Sequence, residues 1–227
     1  MVSAMAVIIS TATFAQQKDI TKFMGIPIDG TKTAMIQKLK AKGFTYNARM
    51  DRLEGEFNGR KSYISVVTNR NKVYRIMVRD ANYTSERDIK NRFNTLVRQF
   101  LDNDKKYMPT DVAGNYIIDN DVNVSNEIVL YNKRFQASFY QIAESDSDTT
   151  GIRKYVNDKV FSKYSEVEFY AMSENEQNTE MGIAAIDWLI ERVSKRQVWF
   201  MIDESYGSYG ILLYYDNVYN QSNGEDL

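Results

Sequence analysis

The sequence predicts an α+β fold: antiparallel β-sheet covered by amphipathic helices, arranged as two lobes each built from helix and hairpin or meander units. Three observations carry this. Ile89, Phe93, Leu96, Val97, Phe100 and Leu101 recur with the period of one helix face. Short alternating segments between Leu53 and Val78 are punctuated by Asn58-Gly59, a strong hairpin signal. The run Val198-Trp199-Phe200-Met201-Ile202, followed by a glycine turn and Tyr209 to Tyr215, reads as a closing hairpin.

Taken in order, the first helix is expected over Thr33 to Lys42, capped by Thr31 or Thr33. Its apolar stripe is Met35, Ile36 and Leu39, and Gly43 supplies the left-handed stop. Leu53 to Phe57, Ser62 to Thr68 and Val73 to Val78 form a meander, with Asn69-Arg70-Asn71 as its second turn. A helix from Glu86 to about Lys105, started by Ser85 and Asp88, then lies across it. Further on, Ile128 to Tyr131 and Phe135 to Ile142 read as a hairpin around Asn132-Lys133. Glu144 to Gly151 reads as a loop, Val167 to Ala171 as a strand, and Thr179 to Ser194 as a helix. The apolar arc of that last helix is broad, as in a deeply buried helix or an interface. In the closing hairpin both faces are apolar, the mark of central strands covered on both sides.

Charge divides the chain. Residues 16–109 carry 20 Lys and Arg against 10 Asp and Glu, whereas residues 110–227 carry 9 against 20, so the overall net charge of −1 conceals a strong asymmetry. Pro109 marks the change and gives the expected boundary between a basic α-β-β-β-α lobe, 16–109, and an acidic α+β lobe, 110–227. Such lobes can cancel each other's fields, associate head to tail between chains as a structural subunit, or draw an anionic partner to the basic side.

Residues 1–15 carry no charge, run apolar from Ala4 to Phe14, and place Thr13 and Ala15 at the −3 and −1 positions of a cleavage site before Gln16. This is a secretory signal pattern, too short to span a bilayer, although no basic residue precedes the apolar run. The expected location is therefore periplasmic or extracellular, where nucleic acid is a poor candidate partner and an envelope glycan or protein a better one.

The absence of Cys and His removes disulfides, thiol nucleophiles, imidazole metal ligands and the Ser-His-Asp triad. No cofactor is expected. Asp119-Asn120-Asp121-Val122-Asn123 opens like a calcium loop, but Val124 and Leu130 stand where glycine and a bidentate Glu are required, so no metal site is expected either. Asp146 and Asp148 have no recognisable ligand spacing. Paired carboxylates remain as acid–base equipment. Glu54 with Glu56, and Glu166 with Glu168, would each lie about 7 Å apart on one strand face, within the range of a glycoside hydrolase pair. Alternating Glu on a wet strand face is also the ordinary result of a period of two. The alternative reading as a carboxylate-dependent glycan hydrolase rests on these pairs.

The aromatic inventory points instead to binding. Tyr206, Tyr209, Tyr215 and Tyr219 are the candidate contact residues, because a tyrosine offers a flat apolar face with a polar tip for sugar stacking or protein contact. The leading expectation is an exported, non-catalytic binding protein.

Val198-Trp199-Phe200-Met201-Ile202, Tyr206-Gly207-Ser208-Tyr209, Tyr214-Tyr215-Asp216-Asn217 and the closing Asn223-Gly224-Glu225-Asp226-Leu227 resemble an uncharacterised family of exported proteins from anaerobic gut bacteria. Gly25-Ile26-Pro27-Ile28-Asp29-Gly30-Thr31 and Lys40-Ala41-Lys42-Gly43-Phe44 are similar to the start of that family. The resemblance covers most of the mature chain. It implies export and a natural end at Leu227, and it assigns no activity and no functional residue.

Export has a direct check. The mature polypeptide is expected to begin at Gln16, and mass analysis of protein recovered outside the cytoplasm would show it; recovery of an intact Met1 terminus would contradict the expectation.

Overall fold

The computed structural model describes residues 20–111, 115–142 and 149–222. The expected leader at 1–15, Asp146, Asp148 and the closing 223–227 lie outside them.

The fold is α+β, as expected. A two-stranded hairpin, β1 (Lys22–Phe23) and β2 (Ile26–Pro27), precedes helix α1 (Lys32–Ala41). Strands β3 (Thr45–Asn47), β4 (Arg52–Phe57), β5 (Arg60–Asn69) and β6 (Lys72–Asp80) lead to helix α2 (Glu86–Asp102). Then follow β7 (Tyr107–Pro109), α3 (Val124–Val129), β8 (Gln136–Gln141), three helices α4 (Thr149–Lys163), α5 (Glu166–Ala171) and α6 (Glu174–Val193), and the hairpin β9 (Arg196–Ser205) and β10 (Ser208–Asn217).

Eight strands form one antiparallel sheet in the order β3-β4-β5-β6-β10-β9-β8-β7. The charge reversal near Pro109 therefore falls inside a shared architecture. Pro109 ends β7, which pairs with β8, while β6 from the basic half pairs with β10 from the acidic half. One large core contains buried residues from both halves, among them Leu39, Ile64, Phe93, Phe139, Phe200 and Leu213.

Local chemistry explains the elements that matched. The Thr31 side chain accepts from the Ala34 N–H and starts α1, and Ser85 does the same for Asp88 N–H at α2. Four hairpins turn on two residues that both have positive φ, the requirement of a turn whose twist matches the strands. They are Met24-Gly25, Asn58-Gly59, Arg70-Asn71 and Tyr206-Gly207. Only Asn58-Gly59 has the strongest sequence signature; in the others a non-glycine residue is held at φ near 50° by strand pairing on either side. At Gly55 a Cβ would come within 2.5 Å of the Phe44 ring, so that aromatic side chain lies directly on the β4 backbone.

The second half differs from expectation at several places. Ile128 to Tyr131 is not a strand: Asn123 caps α3 by accepting from the Asn126 N–H, and Val129, Leu130 and Tyr131 stand exposed. No hairpin forms around Asn132-Lys133, since β8 pairs with β9 and β7. Val167 to Ala171 is helix α5, because Ser165 and Glu168 close a capping box in which each side chain takes the other's backbone N–H. Ser173 and Glu176 close a second box and begin α6 five residues earlier than its apolar pattern does. Residues from Thr149 belong to α4, whose weak amphipathic pattern gave no sequence signal. Helices α4 to α6 gather around their own small core of Val156, Val160, Phe169 and Ala184. Helix α6 is not deeply buried: Ile183, Ile186 and Ile190 are exposed.

The closing hairpin is central in the sheet, and among the described residues helix covers only one of its faces. There α2 places Phe93 and Phe100 against Phe200, with ring centroids 5.1 and 5.6 Å apart, and Phe100 stacks on Phe139 at 4.7 Å. The other face, carrying Trp199, Met201, Leu212 and Tyr214, is half-buried among its own side chains.

Tyr215 is buried in the core beside Phe23, and burial, followed by the neighbouring Tyr107 with which it hydrogen-bonds, pushes its phenol well above the ordinary value. A phenol kept neutral in the fold leaves stability intact below its ordinary pKa of about 10, and stability then falls as pH rises toward the folded value. For one group the slope is at most about 1.4 kcal/mol per pH unit. Tyr215→Phe is expected to cost about 1 kcal/mol at neutral pH and to make the decline of the urea midpoint above pH 10 shallower. An unchanged slope would show that Tyr215 ionises as freely folded as unfolded.

Candidate functional site

Odd and even positions of a strand face opposite ways, so the registers define which side chains share the open face. One row crosses the sheet as Ser65, Met77, Tyr214, Trp199 and Ser138. The next contains Val67, Arg75, Asp216, Gln197 and Tyr140. These rows build a cleft of about 390 Å³, lined by Arg75, Gln136, Ser138, Tyr140, Gln197, Trp199 and Asp216 from the strands and by Thr110 and Gln221 from outside them.

Trp199 and Tyr214 are directly opposed and stack with centroids 4.0 Å apart and planes 17° from parallel. On the other side of Trp199 the opposed residue is Ser138, which is too small to cover an indole. One indole face is thus packed and the other borders the cleft.

Asp216 anchors this arrangement. Its carboxylate takes Arg75 Nε at 2.6 Å and Arg75 Nη2 at 2.8 Å, and accepts Trp199 Nε1–H at 2.9 Å. The carboxylate is nearly fully buried and the guanidinium about one-quarter exposed. The carboxylate raises the Arg75 pKa above its already high ordinary value. Arg75 also lies 4.9 Å from the Tyr214 ring centroid and 5.5 Å from that of Trp199, so the indole is fixed by its N–H and by stacking together.

Around this rigid centre the polar groups are less committed. Gln136 donates to Ser138 Oγ at 3.0 Å and Thr110 Oγ1 to the Ser138 carbonyl at 3.3 Å. The Gln197 and Gln221 carboxamides and the Tyr140 hydroxyl have no hydrogen-bond partner among the described residues, while all three line the cleft.

The four tyrosines singled out from sequence do not converge. Tyr206 is fully exposed at the tip of the β9–β10 turn, with φ 51°. Tyr209 and Tyr215 are 2% and 6% exposed, their rings used by the core, and Tyr215 also borders a cavity of about 400 Å³ between α2 and the sheet with Phe57, Phe100 and Tyr107. Tyr219, 40% exposed in the turn Val218–Asn220, lines a separate groove of about 420 Å³ with Tyr155 and Trp188.

The glutamate pairs are likewise apart from the cleft. Glu54 accepts from Arg52 at 3.0 Å and from Asn47 at 3.1 Å, which hold its carboxyl below the usual range. Glu166 and Glu168 lie in helix α5, so the strand-face spacing does not apply, and Glu168 is held low by the Ser165 hydroxyl and backbone that it caps. In the calcium-like loop the Lys90 ammonium donates to the carbonyls of Asn120 and Val122, both at 2.7 Å, and Asn123 is spent on capping α3. Among the described residues no cluster of acidic side chains could hold a metal, and no helix is long and apolar enough to cross a membrane.

Sequence reasoning missed Arg75, Asp216, Trp199, Ser138, Tyr140, Gln136, Gln197 and Gln221 as a group. A signal was present: an Asp inside the strand Tyr214-Tyr215-Asp216 and an Arg inside Tyr74-Arg75-Ile76 each need a partner when buried. That they are each other's partner, 141 residues apart, required the β6–β10 pairing.

Compared with protein-family models, curated proteins and solved structures, the chain shows no match.

Removing Asp216 strands a half-buried cation and an indole N–H together. Asp216→Ala is expected to destabilise the protein by about 2–4 kcal/mol, somewhat less than a fully buried pair would lose because Arg75 keeps some water contact. Chemical denaturation would measure it, and a loss below about 0.5 kcal/mol would place the pair among ordinary surface contacts.

Proposed function

We propose that this is an exported, non-catalytic binding protein whose contact surface is the open face of the sheet around Trp199. Export rests on the pattern of the first 15 residues. The binding role rests on one observation above others: a tryptophan held rigidly on one face, with its other face bordering a cleft where the Gln197 and Gln221 carboxamides and the Tyr140 hydroxyl have no hydrogen-bond partner among the described residues. A rigid aromatic surface loses little entropy on contact, and uncommitted amides and hydroxyls bond an incoming ligand without first breaking internal bonds. Small-molecule and glycan segments are held by clefts of this size. The cleft contains a single carboxylate, Asp216, already spent on Arg75 and Trp199, which favours binding over acid–base chemistry there.

Adsorption to an insoluble bacterial envelope polysaccharide fraction tests the reading, with the full mature chain and two variants. Trp199→Ala removes the ring, and Ser138→Phe fills the space beside it from a half-exposed position that packs little of the core. Both are expected to lower the adsorbed fraction at least tenfold, as truncation of an aromatic anchor does, with near-native thermal midpoints for Ser138→Phe. Equal adsorption by wild type and both variants, or none by the wild type, would overturn it.

A further inference from the structure

We infer that the ligand of the Trp199 cleft is a neutral saccharide chain, an assignment that rests on the reading of the cleft as a binding site. The first reason is charge. The only ionised side chains in its lining are Arg75 and Asp216, and they neutralise each other through two hydrogen bonds of 2.6 and 2.8 Å. An anionic ligand would find no unbalanced cation in the lining, only a guanidinium whose charge the buried Asp216 carboxylate already offsets. A cationic ligand would meet the fixed guanidinium. The cleft is thus matched to a partner without net charge.

The second reason is the kind of polar group. Gln136, Gln197 and Gln221 each offer an adjacent donor and acceptor in one plane, and Ser138, Thr110 and Tyr140 add hydroxyls. A carboxamide can give one hydrogen bond and take another from neighbouring hydroxyls, which is how a vicinal diol presents itself. Peptide backbone could also use such groups, but it would add to the sheet at an edge strand, whereas Ser138 and Tyr140 on β8 and Gln197 on β9 stand on the face of strands paired to each other.

The third reason is the indole. The C–H side of a pyranose ring is apolar and flat enough to lie on an aromatic face, while its hydroxyls point outward around the rim. Here the free indole face has polar side chains on the neighbouring strand β8 and at the next pair along β9, Gln197 and Tyr140. An apolar platform edged by hydrogen-bonding groups is the complement of that ring. The Tyr214 stack and the bond to Asp216 hold the platform upright before ligand arrives.

The protein has two tryptophans, so Trp188→Phe leaves Trp199 as the single indole reporter. The full mature chain carrying this change is titrated with cellohexaose, xylohexaose, mannohexaose and chitohexaose, and with hexagalacturonate as the acidic counterpart. At least one neutral hexaose is expected to shift the Trp199 emission to the blue and to saturate, with hexagalacturonate at least tenfold weaker. By calorimetry, Gln197→Ala should weaken the same hexaose several-fold, and Ser138→Phe should abolish the heat of binding. Hexagalacturonate binding as tightly as every neutral hexaose would leave the cleft as a binding site and overturn the neutral class. Silence of the indole toward all five, while adsorption to the polysaccharide fraction still depends on Trp199, would leave the cleft as a polysaccharide site and overturn its assignment to a neutral linear chain. Silence together with adsorption that ignores Trp199 would overturn both readings.

Discussion

The seam between β6 and β10 is the constraint on which the rest of the molecule depends. Five residue pairs, from Arg79 with Leu212 to Arg75 with Asp216, join the meander of the first half to the closing hairpin. At the end of that seam Asp216 serves three groups at once. Its carboxylate holds Arg75 and Trp199, and its carbonyl oxygen accepts a hydrogen bond from the Thr21 hydroxyl. Next to it the Asn217 carboxamide donates to the Ile28 carbonyl at 2.7 Å. The amino-terminal hairpin, the basic meander and the acidic half are therefore locked at one end of the central strand β10 by two consecutive polar residues. A buried carboxylate is costly unless compensated, and this one is compensated on every side.

The same economy separates the two faces of the sheet. The face under α1 and α2 is filled with phenylalanine and aliphatic side chains and gives most of the hydrophobic stabilisation. The opposite face has aromatic and arginine side chains that satisfy one another laterally: Arg52 lies 3.5 Å from the Tyr63 centroid, and Tyr83 lies over Gly210 with its hydroxyl bonded to Asp203. Lateral stacking keeps such a face ordered where no described element covers it. It also means that the face is rigid where it is exposed, which is what a contact surface needs. Where a large residue is opposed by a small one, at Trp199 and Ser138, lateral filling fails and a cleft results.

The helical elements teach a different lesson. Ser165-Glu166-Val167-Glu168 and Ser173-Glu174-Asn175-Glu176 both contain the capping-box spacing, yet the alternating Glu of the first reads equally well as the wet face of a strand. Two reciprocal hydrogen bonds at the start decide for helix over a six-residue segment whose apolar pattern is silent. At α3 a single Asn cap has the same effect, and the apolar cluster Val129-Leu130-Tyr131 that suggests a buried strand ends up in solvent. Hydrophobicity without periodicity was the misleading cue in that stretch.

By itself the sequence determined the elements whose information is local. Helices α1 and α2, the meander and the closing hairpin follow from period, caps and turn residues within a few positions of one another, and the missing Cys and His exclude whole classes of chemistry. Only the tertiary structure decided which strands meet, and with it the site. Tyr209 and Tyr215 look like Tyr206 in a list of residues, but strand parity sends their rings into the core. Arg75, Asp216, Trp199 and Ser138 look unrelated, but the order β6-β10-β9-β8 sets them side by side. Side-chain direction along a strand has a period of two and is legible in the chain; the neighbour across the strand is chosen by global packing, and no local pattern encodes it.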